Sequence, residues 1–127
     1  MADRLAASDA FVNGDIEPLA ALSATTPPAT LFGPQGTTVQ GAEHVNEANA
    51  RGAGMFRPGA SNAFEVMHRA SDGHLAYWVG VQRSVVHFSG QHQPTPMDLR
   101  VTEIFKREPF GWKLIHRHAD AVASEQR

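Results

Sequence analysis

From residue 62 to near its end the chain holds four strand-like segments in a row, and the middle two are long. NAFEVMHRA, HLAYWVGVQRSVVHF, PMDLRVTEIFKRE and GWKLIHRHADAV are parted by Ser71-Asp72-Gly73, by Ser89-Gly90 with Pro94 and Pro96, and by Pro109-Phe110-Gly111. Each separator is built of residues that reverse the chain, so the segments predict consecutive antiparallel strands. Long antiparallel strands cannot stay flat, because the handedness of L-residues makes them twist and coil. The resulting hollow needs a filler, and only helices from earlier in the chain are available.

The first half supplies them. Residues 2–12 read as a helix with Leu5, Ser8 and Val12 on one side and Phe11 alongside, stopped at Asn13-Gly14-Asp15 where glycine accepts a left-handed backbone. Asp15 can cap a second short helix, IEPLAALSA, with Ile16, Leu19 and Leu22 three apart, which Thr25-Thr26-Pro27-Pro28 ends. ATLFGP and TTVQGA then form a hairpin around Gly33-Pro34-Gln35-Gly36. A third helix starts near Ala42, with Glu43 against its positive end. Its stripe is Val45, Ala48, Gly52, Met55 and Phe56, and Arg57-Pro58-Gly59 stops it. The order is ααββαββββ, a single α+β domain over residues 1–127.

Composition narrows the function classes. The chain has 127 residues, 42% of them apolar, enough for a core without staples, and it has no cysteine, which removes disulfides, thiolate catalysis and cysteine–zinc sites. Net charge is −2 with lysine and arginine scattered, so neither a nucleic-acid partner nor a membrane partner is expected. No apolar run approaches the roughly 20 residues of a membrane span. The start, MADRLAASDAF, lacks the apolar stretch of a secretory signal, and the expected location is cytoplasmic.

Several local motifs accompany this order: Gly14-Asp15 after helix 1, Gly33-Pro34 in the first hairpin, Ala76-Tyr77 in strand 4, Arg100-Val101-Thr102 in strand 5, and Trp112 followed by His116 and His118 in strand 6. Together, over about residues 5–120, the chain resembles the SnoaL-like branch of the nuclear transport factor 2 superfamily. Ketosteroid isomerase, polyketide cyclases and the calmodulin-dependent kinase II association domain belong to that group. The resemblance implies a cone, a bent sheet wrapped round a long third helix with a cavity at its wide end, and commonly a homodimer formed through the outer sheet face. It does not imply a reaction, since the family includes enzymes, ligand binders and assembly modules. The isomerase base would fall on Gly33 and its oxyanion tyrosine on Ala7, and neither residue has the required group.

Strand 6 alternation puts Trp112, Leu114, His116 and His118 on one face and Lys113, Ile115 and Arg117 on the other. Lys and Arg prefer water, which predicts that the histidine face turns inward. The resemblance to the kinase association domain turns Thr102, and with it Arg100, toward the cavity, along with Tyr77, Val79, Val81 and Arg83 of strand 4. A one-residue slip would invert every assignment. On this reading His116 and His118 are the candidate catalytic acid/base groups, and Tyr77, Arg100 and Thr102 bind a small hydrophobic or carboxylated ligand. The competing reading makes both histidines structural. Asp120 extends the pair to His-x-His-x-Asp, but a catalytic metal normally needs three protein ligands and supporting groups, so neither metal nor cofactor is expected. Trp78 is open between core and dimer interface, Trp112 reads as core, and His44 and Glu47 as a solvated face. Alternatives to a ligand-binding protein are a non-catalytic assembly module and, against Gly33 and Ala7, an isomerase.

Overall fold

The computed structural model describes residues 1–123, and residues 124–127 of the expected domain lie outside it. Along it run α1 (Ala2–Val12), α2 (Glu17–Leu22), β1 (Thr30–Phe32), β2 (Thr38–Gln40), α3 (Ala42–Ala53), β3 (Phe56–Ser71), β4 (Leu75–Phe88), β5 (Thr95–Glu108) and β6 (Gly111–Ala121). This is the expected order. The strands form one curved, open sheet ordered β2-β1-β6-β5-β4-β3. Every neighbouring pair is antiparallel except β1 and β6, which run parallel. Among the described residues no helix is long and apolar enough to cross a membrane.

Among the described residues, buried apolar side chains gather in three clusters. Trp78, Leu99, Val101 and Ala119 form the first on the concave face of the sheet. Ala7, Leu19 and Leu114 form the second, where α1 and α2 meet β6. Ala24, Ala29 and Ala42 form the third, under the β1–β2 hairpin and the start of α3. Burying a side chain the size of valine or leucine stabilises by about 1.5–3 kcal/mol. The alanines contribute less area but let helix and strand backbones approach closely.

The end of α1 explains how the helix is fixed over the sheet. Asn13 Oδ1 accepts from the backbone N–H groups of Gly59 and Ala60, both at 2.9 Å, in a bulge of β3 between Arg57 and Ser61. Gly14 has φ +93°, and a Cβ there would meet the Phe56 carbonyl oxygen at 2.8 Å, so only glycine suits the position.

Helix α3 is shorter than its stripe suggested. It ends at Ala53, Phe56 already belongs to β3, and Met55 is 58% exposed. Gly54, not Arg57-Pro58-Gly59, is the stop, because Pro58 and Gly59 are absorbed by the β3 bulge, where a missing N–H and a positive φ are tolerated. Gly52 packs under Phe11, and a Cβ there would come within 3.0 Å of the ring. The close neighbour of this glycine is thus α1.

Candidate functional site

The concave face holds a buried charge cluster. Glu103 is fully buried in β5, opposite Arg117 of β6 in the strand register, and Arg117 Nη1 donates to its Oε2 at 2.7 Å. Arg4 reaches down from α1 and grips the same carboxylate with two bonds of 2.8 Å, from Nε to Oε1 and from Nη2 to Oε2. Trp78 Nε1 adds a fourth at 2.8 Å. Burial pushes the Glu103 carboxyl upward, but the guanidiniums of Arg4 and Arg117 outweigh it and hold the group at about 2. Glu103 therefore stays ionised and serves as a fixed acceptor, not as a proton shuttle.

The cluster continues sideways. Arg117 Nη2 donates to Gln82 Oε1 at 2.8 Å, and Gln82 Nε2 donates to Asn62 Oδ1 at 3.1 Å. Asn62 Nδ2 returns to α1 through Ser8 Oγ and Asp9 Oδ1, both at 3.0 Å. Polar groups from four strands and a helix thus satisfy one another where an apolar core would otherwise stand. Among the described residues one atom is left over: Arg4 Nη1 is buried without a hydrogen-bond partner.

Arg4 borders two spaces. One is a cavity of about 40 Å³ between α1, α2, α3, β1 and β6, room for a water or two. The other is a groove of about 480 Å³ at the end of the sheet where α1 begins, within the usual size of a small-molecule site. Trp78, Phe105, Trp112 and Leu22 are among its walls, and Arg69 and Asp3 border it too. Two irregularities in the strands shape it. A bulge at Met67 reverses the alternation of β3, so that Arg69 stands opposite Trp78 on the concave side. A second at Ile115 does the same in β6, placing Leu114 opposite Phe105 and Trp112 opposite Arg107, whose guanidinium lies 5.9 Å from the Trp112 ring centre.

That second bulge corrects the face predicted for the histidines. Trp112 and Leu114 do not share a face with His116 and His118: the former pair turns inward with Arg117 and Ala119, the latter outward. Arg117 can face inward because Glu103 compensates its charge, which overrides the preference of arginine for water. Thr102, paired with His118, and Arg100, paired with Asp120, lie on the same outer face. Arg100 is two-thirds exposed and its fork is taken by Asp120, at 2.6 and 2.7 Å. Tyr77 is also on the outer side, with its hydroxyl 3.1 Å from His68 Nδ1, although it borders the groove. His116 is half-buried, borders the small cavity and shares a 2.7 Å hydrogen bond with Thr30 Oγ1. Burial, with His118 nearby, pushes its pKa below the usual value. Phe32 sits edge-on to both imidazoles, with ring centres at 5.0 and 5.5 Å. The five residues thus share the outer face, and of them only Tyr77 touches the groove. Among the described residues no group of three His, Asp or Glu side chains is placed to hold a metal ion.

Sequence reasoning missed Arg4, Arg69 and Glu103. A signal existed for two of them. Glu103 interrupts the alternating set Leu99, Val101, Phe105, and Arg4 precedes Ala7, Ser8 and Phe11 at helical spacing. Opposite charges set into two apolar stripes are what a buried ion pair looks like in sequence. Arg69 carries no such mark, since its direction depends on the bulge. Of the two positions that the resemblance assigned to an isomerase, Ala7 is wholly buried in the core and Gly33 lies in the hairpin turn.

Solved structures share this arrangement. A nuclear transport factor 2-like superfamily protein from Salmonella enterica superposes with a TM-score of 0.79 at 16% identity, covering 97% of this chain and 86% of that one. The fold is NTF2-like. An NTF2-like family protein from Streptomyces avermitilis, provisionally named a dehydratase, gives a TM-score of 0.77 at 20% identity over 97% and 93% of the two chains. A protein from Thiobacillus denitrificans, provisionally named a calcium/calmodulin-dependent protein kinase type II association domain, gives 0.74 at 16% identity over 96% and 94%. No family model matches the sequence, and no curated protein matches it significantly. At these identities the NTF2-like neighbours establish architecture and leave the chemistry to the site itself.

Proposed function

We propose that this protein binds a small, largely hydrophobic molecule in the groove at the start of α1. The observation that carries the reading is the groove itself: about 480 Å³, walled by Trp78, Phe105 and Trp112, with a buried guanidinium at its border. Such a mix of aromatic wall and few polar groups is what small-molecule sites use to combine affinity with orientation. Recognition fits the residues better than proton transfer does. Glu103 is locked between two guanidiniums, and His116 and His118 lie outside the groove. Trp78 and Trp112 are the chain's two tryptophans, so intrinsic fluorescence reports on this place. A set of hydrophobic metabolites should include compounds that quench it and raise the melting temperature, and Trp112→Ala should abolish both responses. A set that produces neither response, or responses that persist unchanged in Trp112→Ala, would count against the groove.

A second reading concerns the outer sheet face, which no helix covers among the described residues. It carries Phe32, Tyr77, Val79, Thr102 and Ile104 together with the two histidines, a half-exposed apolar strip of the kind that a second copy of the chain would cover. We propose a homodimer through this face, with His116, His118 and Thr102 as interface residues.

A further inference from the structure

We infer that the ligand of the groove is a flat apolar molecule bearing one carboxylate, received by Arg4 and Arg69. This deepens the preceding reading and rests on it. Three observations converge. Arg4 gives Nε and Nη2 to Glu103, which leaves Nη1 as a donor with no partner among the described residues, on a side chain only 6% exposed. A buried N–H left unpaired is costly, and since Arg4 borders the groove, an acceptor that reached Nη1 from there would relieve that cost. The second observation is charge. Arg4 and Arg69 border the groove, Arg107 lies against Trp112 and Arg117 behind Glu103, whereas the carboxylates among these groups are Glu103 and Asp3. Positive charge in excess within a walled cleft attracts an anion and raises its local concentration. The third is the bulge at Met67, which turns Arg69 to the side of Trp78 and sends His68 to the outer face with Tyr77. Regular alternation would have reversed the two.

The remaining wall selects the rest of the ligand. Trp78, Phe105 and Trp112 offer ring surface and few donors, so a dianion such as a phosphate would be under-served, while a carboxylate on an aromatic or similarly flat body would be matched. Arg69 is exposed, so its side chain is free to settle on a carboxylate once the apolar body is seated.

The test uses two probes of the same shape, 1-naphthoate and its uncharged amide, titrated by calorimetry at pH 7.5. The acid should bind at least tenfold tighter than the amide. Arg69→Gln, at an exposed position that folding does not depend on, should bring the acid to the level of the amide and leave the amide unchanged. Arg100→Gln, on the outer face, should alter neither. Equal binding of acid and amide, or an acid preference that survives Arg69→Gln, overturns the carboxylate inference and leaves the hydrophobic groove standing. Loss of acid preference in Arg100→Gln would overturn it as well, by relocating the anion site. Binding of neither probe, with no fluorescence response to the wider metabolite set, overturns the groove reading and this inference with it.

Discussion

Glu103 shows how one residue can decide which face of a sheet is the inside. A lone carboxylate in the concave core would be expelled. Held by Arg4, Arg117 and Trp78 it becomes the centre of the packing. Replacing one member of such a set leaves opposite charges uncompensated, so Glu103→Gln should lower the unfolding free energy by about 3–5 kcal/mol, read from urea denaturation. The pH dependence has a defined sign. The folded carboxyl titrates at about 2, below its ordinary 4.5, so the unfolded chain binds the proton more readily. Its contribution is complete above about pH 4.5 and is lost as pH falls from there toward 2. Acid titration of stability in this window should flatten in Glu103→Gln, and a slope identical to the wild type would contradict the assignment. In sequence, Arg117 looked like a solvent-facing residue because nothing local announces that its partner lies fourteen positions away across a strand pair.

At the scale of elements, the strands were legible as strands and their faces were not. Length, turn residues and alternation located β4, β5 and β6 to within a residue or two of their observed ends. What they could not show is that β6 carries an extra residue at Ile115 and β3 one at Met67. A bulge costs one position of register and leaves the composition untouched, yet it flips every side chain beyond it. Trp112 and His116 were thereby assigned to one face when they occupy two. The β3 irregularity adjoins Gly80 of β4, where a Cβ would overlap the Glu65 carbonyl. Gly80→Ala should force the two backbones apart and destabilise by about 1–3 kcal/mol, the usual range for overpacking. Thermal denaturation would check it, and a neutral effect would mean that β3 yields more easily than its pairing suggests.

At the scale of the whole molecule, helices cover one face of the sheet and, among the described residues, none covers the other. Under the proposed homodimer this half-apolar face is the contact surface, and a stable interface there would bury upward of about 1,200 Å² in total. The protein should elute at twice its chain mass in size-exclusion chromatography with scattering detection. Ile104→Glu, a charge in the middle of that face, should return it to the monomer while the groove's fluorescence response persists. A wild-type monomer at micromolar concentration would remove the dimer. The sequence by itself determined the order of elements and the antiparallel run of the last four strands, because these depend on local propensity and turn chemistry. Only the tertiary structure decided which face is concave, that Arg4, Glu103 and Arg117 meet, and that the opening lies beside Trp112. Those depend on strand register and on charge pairs between residues far apart in the chain, and the energy that fixes them appears only when α1 and the sheet are brought together.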